Sequence, residues 1–378
     1  MKKIIFKNFL RETTEFFILS SCAVTLIVWV IQAVNYLEFV TEDGHSFKIY
    51  FLYTIYSLPK IFSKLLPFMF FFSIFFTLIK YEEQNQTLIF WTNGIKKLTF
   101  INVIVAYSFF FLILNFFFSL YIVPMSQDKA RSFIRASNID YLPLLVKPKK
   151  FIDTVERLTI YTNKKYENTL ENIIIKDSFS VSKSKIIYAK KGYFTEDNNN
   201  NFLILKEGKI LNINQGKTNS FDFKETKINL SKYTSKTTKT PKIQEVKTRS
   251  LYDCLFLGTV RPTKAQNSFD FLCQNTLALK NKISQELFSR IFKPFYIPLL
   301  ALIGSLLLIE SKNSTNFSRY KFKIFAIGVI TISISEISTK FYSANIFESF
   351  FIFTAPFMLF FLVYSSLYKK SKLKLNDI

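Results

Sequence analysis

The sequence contains few of the residues from which metal sites are built. Among 378 residues there is one histidine, His45, and there are three cysteines, Cys22, Cys254 and Cys273. One histidine excludes a multi-histidine metal site, and the cysteines lack the close spacing of metal ligands. We interpret His45 as an ordinary loop residue. Cys22 lies in an apolar run, so we expect no disulfide framework, although a Cys254–Cys273 pair stays open.

Enzyme motifs are also missing from the sequence. It has no nucleophile elbow, no metal-binding helix motif and no dinucleotide fingerprint. The triplet Gly216-Lys217-Thr218 resembles the end of a phosphate-binding loop, but Leu211 stands where that loop requires a glycine. We interpret the triplet as a turn. The sequence therefore indicates neither an enzyme nor a cofactor, and energy for any transport must come from another subunit or an ion gradient.

The charge is unbalanced, with 50 Lys and Arg against 27 Asp and Glu and a formal net charge of +23. In a soluble protein this excess would suggest a nucleic-acid partner. No compact basic module with interleaved base-stacking aromatics is present, so we predict no nucleic-acid binding. Instead, 49% of the residues are hydrophobic and 46 are Phe, which is too apolar for an ordinary soluble protein.

The apolar residues fall into six runs that are long enough to cross a bilayer as helices. Residues 1–15 are basic and amphipathic and no cleavage site follows them, so we expect an uncleaved first span with its Lys/Arg flank inside. The loop 310–321 and the tail 369–374 are basic and fall on the same side. These features predict that both termini lie inside. The expected spans are 16–37, 49–79, 98–123 ending at Pro124, 291–309, 322–342 and 346–367.

A polar, Lys-rich insert, residues 127–285, separates the third span from the fourth. After a helical link at 127–137, apolar residues alternate with period two in segments separated by turn-forming residues. Several short strands at this spacing predict an antiparallel sandwich or jellyroll-like domain outside the membrane. The predicted fold is a membrane protein of six transmembrane α-helices with an inserted all-β domain, divided into 1–126, 127–285 and 286–378. The strand segments are 151–162, 170–178, 183–194, 201–211 and 221–230.

Five basic residues lie toward the outer halves of three spans. Charges in membrane helices are costly, so each needs a partner, a route to the headgroups or a function. Glu336 can pair with the lysine four residues later, and the other side chains can snorkel to the outer headgroups. Alternatively, the five bind a phosphorylated lipid at the level of the outer leaflet. Each Lys would act on the phosphate as a point charge, and Arg would donate two parallel hydrogen bonds to it. They are Lys60, Lys64, Arg290, Lys293 and Lys340.

The inner loop after the second span, residues 80–97, contains the apolar residues Leu88, Ile89 and Trp91 among polar neighbours. This pattern predicts a short helix at the membrane surface. Asn93-Gly94 is a typical stop signal, so we expect the helix to end there.

The order of these elements and several local stretches resemble the lipopolysaccharide-export permeases of the LptF/LptG family over essentially the whole chain. No single stretch is diagnostic, but their order and spacing together are specific. The end of the first span is more similar to LptF than to LptG. The stretches are KNFLRETTEFF, VWVIQAVNYLEFVTEDG, LPKIFSKLLPFMF, NGIKKL, YIVPMSQDKAR and QELFSRIFKPFYIPLL.

This resemblance implies a heterodimer with a second LptF/LptG-type permease in the bacterial inner membrane, driven by an LptB-like cytoplasmic ATPase dimer. It also implies that the insert is a periplasmic β-jellyroll. Lipopolysaccharide would be extracted from the outer leaflet of the inner membrane and passed to an LptC/LptA-like jellyroll protein, toward the outer membrane.

The resemblance further implies that the inner loop holds a coupling helix, at about 81–95, that sits in the ATPase. The family usually carries a glutamate eight residues before the loop glycine, Gly94, and here that position is Gln86. Either a nearby glutamate supplies the charged contact or the contact is a neutral hydrogen bond. The implied coupling residues are Glu82, Glu83, Gln86, Leu88, Trp91 and Gly94.

Two other classes of function compete with transport. One is a membrane scaffold or signalling protein whose external domain binds protein partners, and the inner helix at residues 88–94 argues against it. The other is a glycolipid transferase, which needs acidic catalytic residues at the membrane surface. The outer loops offer only Glu42, Asp43 and Glu348, which are too few and too scattered for a mechanism.

Overall fold

The structure is a computed structural model that describes residues 2–37, 40, 46–136, 146–155, 157–166, 169–180, 183–197, 200–214, 217–230, 242–256, 277–312, 314–341 and 346–376. The chain divides into two compact units. The first, called the membrane unit here, comprises residues 1–29, 57–128 and 242–378, and the second comprises residues 30–56 and 129–241. Several residues discussed above lie outside the described set: Glu42, Asp43, His45, Gly216, Cys273 and the side chain of Glu348.

The described residues contain six helical stretches that are long and apolar enough to cross a membrane, as the sequence predicts. Helix α1 covers Lys2–Tyr36, so the amphipathic start and the first span form one helix. Helix α2 is Phe47–Glu83, and the short helix α3, Gln86–Thr92, follows it. The third span comprises α4, Lys97–Phe117, a π-helical turn, Phe118–Ile122, and α5, Val123–Ala136.

The second half of the membrane unit starts with a 3₁₀ turn, Ile243–Glu245, and helix α6, Thr248–Phe256. The fourth span comprises α7, Leu277–Phe292, a 3₁₀ turn, Lys293–Phe295, and α8, Tyr296–Ser305, which ends in a 3₁₀ turn, Leu306–Leu308. Helix α9, Phe317–Phe341, is the fifth span and α10, Ile346–Asn376, is the sixth.

The sequence suggested that the third span ends at Pro124, but the helix continues past this residue to Ala136. Pro124 is the second residue of α5, directly after the π-helical turn. A π turn widens the helix locally, and the start of a helical segment tolerates the missing proline N–H. The helix therefore continues into the predicted link at 127–137. Helix α2 likewise contains Pro59 and Pro67 without a break.

The core of the membrane unit is rich in aromatic side chains. Phe9, Phe71 and Phe100 are fully buried in one apolar cluster with residues of α8. Gly328 on α9 lies directly against Phe71, because a Cβ added there would be 2.1 Å from the ring. The glycine allows α9 to approach α2 closely, a contact that any larger side chain would prevent.

The insert forms one six-stranded antiparallel sheet in the order β1-β2-β3-β4-β5-β6, which confirms an inserted β domain. The first predicted strand segment, 151–162, is a hairpin of two strands, because Arg157 takes a left-handed φ of 67°. The strands are β1 Phe151–Val155, β2 Leu158–Tyr166, β3 Thr169–Ser180, β4 Lys183–Asp197, β5 Asn200–Asn214 and β6 Lys217–Asn229.

The pairing of β2 to β6 is interrupted along one row that crosses the sheet. Asn163, Asn172, Lys190, Glu207 and Lys224 occupy this row, and each is skipped in the register of its strand pairs. Asn172 and Glu207 have positive φ, 53° and 51°. Buried and exposed side chains alternate along the strands, but at this row two consecutive residues can be exposed. In β5 the inward-facing position after Leu205 is therefore Gly208, three residues later. Such irregularities bend strands, and we infer that the sheet curves along this row.

One face of the sheet is apolar. Leu158, Ile160, Leu203 and Leu205 are almost completely buried on it, in a cluster formed by the strands themselves with Val146 and Leu230. The strands must therefore curve over this face and cover their own apolar side chains.

Candidate functional site

The five basic residues predicted to bind lipid lie on three elements of the membrane unit. Lys60 and Lys64 are one turn apart on α2, Arg290 and Lys293 lie at the end of α7 and just after it, and Lys340 lies near the end of α9. Lys64 and Lys340 are exposed and Lys60 is half-buried. The five positions therefore differ in how accessible they are to an anion.

Arg290 is the most enclosed of the five, with only 4% of its side chain exposed. Its Nε donates to Glu286 Oε1 at 2.9 Å. Its Nη1 donates to the Val246 carbonyl and the Thr248 hydroxyl at 2.9 and 3.0 Å. Its Nη2 donates to the carbonyls of Ile243 and Gln244 at 3.4 and 3.0 Å. These bonds use all five N–H donors of the guanidinium.

Thr248 extends this network to the third span. Its hydroxyl donates to the Leu120 carbonyl at 2.8 Å. In a regular α-helix that carbonyl would pair with the N–H of residue 124, which Pro124 lacks. A hydroxyl from α6 thus binds a carbonyl in the π-helical turn of the third span.

Lys293 and Lys340 have different partners from those expected. Lys293 Nζ donates to Glu336 Oε2 at 2.8 Å, which joins the fourth span to the fifth. The expected pair between Glu336 and Lys340 is therefore not formed. The backbone carbonyl of Lys340 accepts from Gln285 at 3.2 Å, while its side chain is exposed.

Lys60 has both positively and negatively charged neighbours. It interacts electrostatically with Lys64, Glu245 and Glu286. Since Glu286 also binds Arg290, α2, the 3₁₀ turn at 243–245 and α7 meet in one polar cluster at this end of the spans. The two glutamates attract the Lys60 ammonium and offset part of the repulsion from Lys64 and Lys242.

The inner segment contains the predicted short helix, α3, and it ends as the sequence predicts. Gly94 has a φ of 69°. Its N–H donates to the Trp91 carbonyl, and the Ile95 N–H donates to the Phe90 carbonyl. These two bonds form a Schellman motif, which favours glycine at this position. Leu88 and Ile89 are 59% and 54% exposed, so α3 presents an apolar face.

Glu82 and Glu83, which were expected to contact the ATPase, bind elsewhere in the chain: Glu82 binds the loop between the fourth and fifth spans and Glu83 binds the beginning of the fifth span. Glu82 accepts from the Lys312 backbone N–H at 2.9 Å and from the Thr87 hydroxyl. Glu83 Oε1 accepts from Lys321 Nζ at 3.0 Å. Gln86, the position where the family usually has glutamate, donates to the Gln84 side chain at 2.8 Å.

Trp91 connects α3 to the end of the fourth span. Lys97 Nζ lies 5.5 Å from the centre of the Trp91 ring and donates to the Leu308 carbonyl at 2.8 Å. A cation near a helix C-terminus satisfies carbonyls that have no helical partner. The ring of Trp91 is thus linked to the end of the fourth span through Lys97. At the other end of α3, the Thr87 hydroxyl donates to Glu82, which binds the loop after that span.

Sequence reasoning missed Thr248, Glu286, Lys312 and Lys321. Thr248 and Glu286 lie in segments that read as an ordinary helical connector, and the two lysines read as inner basic flank. Most of their partners are distant along the chain, up to 238 residues in the case of Glu83 and Lys321. The (i, i+4) spacing of Glu286 and Arg290 was the one local signal available.

Six apolar helical stretches and an antiparallel sheet inserted between them in sequence define a multi-pass membrane protein with an inserted β domain. The profile of the lipopolysaccharide export system permease LptF/LptG matches residues 7–370. The chain therefore belongs to the LptF/LptG family. It is a multi-pass inner-membrane permease component of an ABC transporter for lipopolysaccharide export, and not itself the catalytic subunit. No curated protein sequence gives a significant match to the chain.

Proposed function

We propose that this chain is a permease subunit that extracts lipopolysaccharide from the outer leaflet of the inner membrane and passes it to a periplasmic bridge. Its partners are a second LptF/LptG-type permease, an LptB-like ATPase dimer and an LptC/LptA-like jellyroll protein. The observation that carries this proposal is the family match, which spans both membrane halves and the inserted sheet. Within the family we favour LptF, because of the sequence at the end of the first span.

We propose that both termini are cytoplasmic and that the β domain is periplasmic. The basic loop and tail described above favour this orientation. Cys254, on the connector that follows the β domain, is disulfide-bonded. Disulfides persist in the periplasm and are rare in the cytosol, which supports an outer location for α6.

The anion-binding part of the lipid site is proposed to consist of Lys60, Lys64, Lys293 and Lys340. Lys64 and Lys340 are exposed and can reach phosphate directly. Lys293 can exchange Glu336 for a lipid phosphate, because a partly exposed ion pair contributes little free energy. Arg290, which was expected to belong to this group, is left out because every donor of its guanidinium is occupied.

The ATPase is proposed to dock on α3. Leu88 and Ile89 form an exposed apolar face on α3. Thr87 of the same helix binds Glu82, which accepts from Lys312 in the loop between the fourth and fifth spans. An ATPase that binds this face could therefore displace α3 relative to the fourth and fifth spans. Gln86 would then contribute a neutral hydrogen bond where the family usually has a charged contact.

The first test is purification of the tagged chain from native membranes in mild detergent, followed by mass spectrometry of proteins and lipids. We expect a co-purifying ATPase, a second six-span permease and bound lipopolysaccharide. A chain that emerges alone, or with soluble external partners and no ATPase, would support the scaffold or signalling alternative instead.

A second test addresses the lysines. The double variant Lys60→Ala, Lys64→Ala should bind lipopolysaccharide more weakly while it still assembles with the ATPase. Lys280→Ala, at an exposed position on α7, provides a control for the loss of positive charge. Normal binding and export by the double variant would remove these lysines from the site.

A further inference from the structure

The segment 242–256 connects the sequence of the β domain to the fourth span, and it is fastened at several points. Its 3₁₀ turn presents the carbonyls of Ile243, Gln244 and Val246 to Arg290. Its helix α6 packs on α7, where Leu251 and Cys254 share a buried apolar cluster with Ile283 and Leu287. The connector is therefore part of the membrane unit.

Arg290 is the centre of this attachment. A buried cation is tolerated only when it is paired and its donors are satisfied, and here one carboxylate, three carbonyls and one hydroxyl meet those requirements. A lipid phosphate could bind the guanidinium only if the connector were released from it. The geometry thus separates Arg290 from the exposed lysines, although they lie at the same end of the spans.

The network also reaches the third span. The Thr248 hydroxyl accepts from Arg290 and donates to Leu120, whose carbonyl lies four residues before a proline. One continuous series of hydrogen bonds therefore joins Leu120 of the third span, Thr248 of the connector and Arg290 of the fourth span.

We propose that Arg290 and Thr248 are positioning residues that make the connector move as one body with the outer ends of the third and fourth spans. Rearrangement of these spans during transport is then transmitted to the chain that follows the β domain. This proposal rests on the proposed transport function. Arg290 acts in lipid transfer by holding the connector and does not itself bind lipid.

Thr248 allows a test that leaves the charges unchanged. Thr248→Val removes the hydroxyl but keeps the shape of the side chain, and Thr248→Ser restores a hydroxyl. Arg290→Lys keeps a charge but loses the fork that binds several carbonyls. Arg249→Gln alters an exposed arginine next to Thr248 and serves as the control.

The first measurement is hydrogen exchange of the full chain in nanodiscs without lipopolysaccharide, which is independent of any transport activity. We expect the amides of 243–256 to exchange roughly ten-fold faster in Thr248→Val and Arg290→Lys, as for the loss of one buried hydrogen bond. Thr248→Ser and Arg249→Gln should match the unmodified chain. Unchanged exchange in both test variants would overturn the attachment itself.

The second measurement uses the complete transporter in proteoliposomes, with a photo-crosslinker at Ile210 of the β domain and a parallel assay of ATP hydrolysis. We expect Thr248→Val to lower the lipid crosslinked per ATP several-fold without lowering ATP hydrolysis, and Thr248→Ser to restore it. If Thr248→Val leaves the ratio unchanged in a transporter that moves lipid, the positioning role is wrong. If the unmodified transporter moves no lipid, the transport proposal fails, and the positioning role fails with it while the exchange result still stands.

Discussion

Arg290 and Lys293 are three residues apart, yet they are held in different ways. Arg290 is buried and all its donors are occupied, whereas Lys293 makes one ion pair in which 51% of the Glu336 side chain is exposed. Buried pairs are costly to break, and partly exposed pairs contribute about 0–1 kcal/mol. Only the lysine is thus free to exchange its partner for a ligand at low cost.

Whether Lys293 can exchange Glu336 for a lipid phosphate can be tested by neutralising Glu336. Glu336→Gln takes away the negative charge, so we expect anionic lipid to bind roughly two- to five-fold more tightly, in line with the free energy of an exposed pair. The measurement is binding of lipopolysaccharide to the purified chain in nanodiscs. Ser333→Ala, on the same exposed side of α9, is the control, since its hydroxyl bonds its own helix. Equal or weaker binding by Glu336→Gln would contradict the role of Lys293.

In the β domain, Lys190 and Glu207 form an ion pair of 3.0 Å on the interrupted row of the sheet. The hydrogen bond from Lys190 lowers the pKa of the Glu207 carboxyl below its ordinary value of 4.5. A carboxyl with a lowered pKa in the folded state adds stability above its unfolded pKa, and that stability is lost as the pH falls through the folded pKa. Both side chains are exposed, so the effect is small.

Lys190→Met should therefore destabilise the β4–β5 pair slightly at pH 7. The difference should shrink as the pH falls below 4.5 and vanish below the folded pKa of Glu207. Hydrogen exchange of the full chain at several pH values, corrected for intrinsic rates, measures this. Lys176→Met, at an exposed position on β3, controls for the loss of charge. A difference that persists unchanged at low pH would show that the ion pair is not its cause.

At the scale of elements, the inner end of α2, which leads into α3, is tied to the fifth span through Glu83 and Lys321. The pair joins the last residue of α2, shortly before α3, to the beginning of α9. We therefore expect a displacement of α3 to be passed to the fifth span through this contact. We predict that Glu83→Lys and Lys321→Glu each reduce the lipid moved per ATP. The variant that carries both substitutions should restore it, because the two charges are exchanged and attract each other again.

The measurement is lipid transfer and ATP hydrolysis by the reconstituted complex for the two single variants and the double variant. Arg319→Glu, at an exposed position in the same turn of α9, controls for the change in charge. Additive losses in the double variant would mean that the two residues act independently.

The elements themselves could be predicted from local patterns, and their contacts could not. Apolar runs, period-two alternation and the Asn93-Gly94 signal predict the spans, the strands and the end of α3, because each depends on neighbours in sequence. The attachment of Arg290 to Ile243 and that of Glu83 to Lys321 depend on packing between segments 47 and 238 residues apart. The charge of Arg290 alone suggested a lipid ligand, since the sequence does not show that its donors are occupied.

For the whole molecule, the proposed path of lipid runs from the membrane unit to the apolar face of the sheet. Acyl chains prefer an apolar surface, and the buried face of the sheet is the only one of its two faces with a continuous apolar cluster among the described strands. Ile210 and Phe223 are partly buried at the margin of that cluster, so a probe there disturbs the packing little. Lys209 and Lys224, next to them in sequence, are exposed.

Photo-crosslinkers at Ile210 and Phe223 should therefore label lipopolysaccharide in the reconstituted transporter, and labelling should require ATP, because lipid reaches the β domain only when the membrane unit delivers it. Crosslinkers at Lys209 and Lys224 should label little, since both of these side chains are exposed and not packed against the apolar cluster. Labelling from the lysine positions alone would place the lipid on the outer face of the sheet. Equal labelling without ATP would indicate direct uptake from solution, and the sheet would then not receive its lipid from the membrane unit.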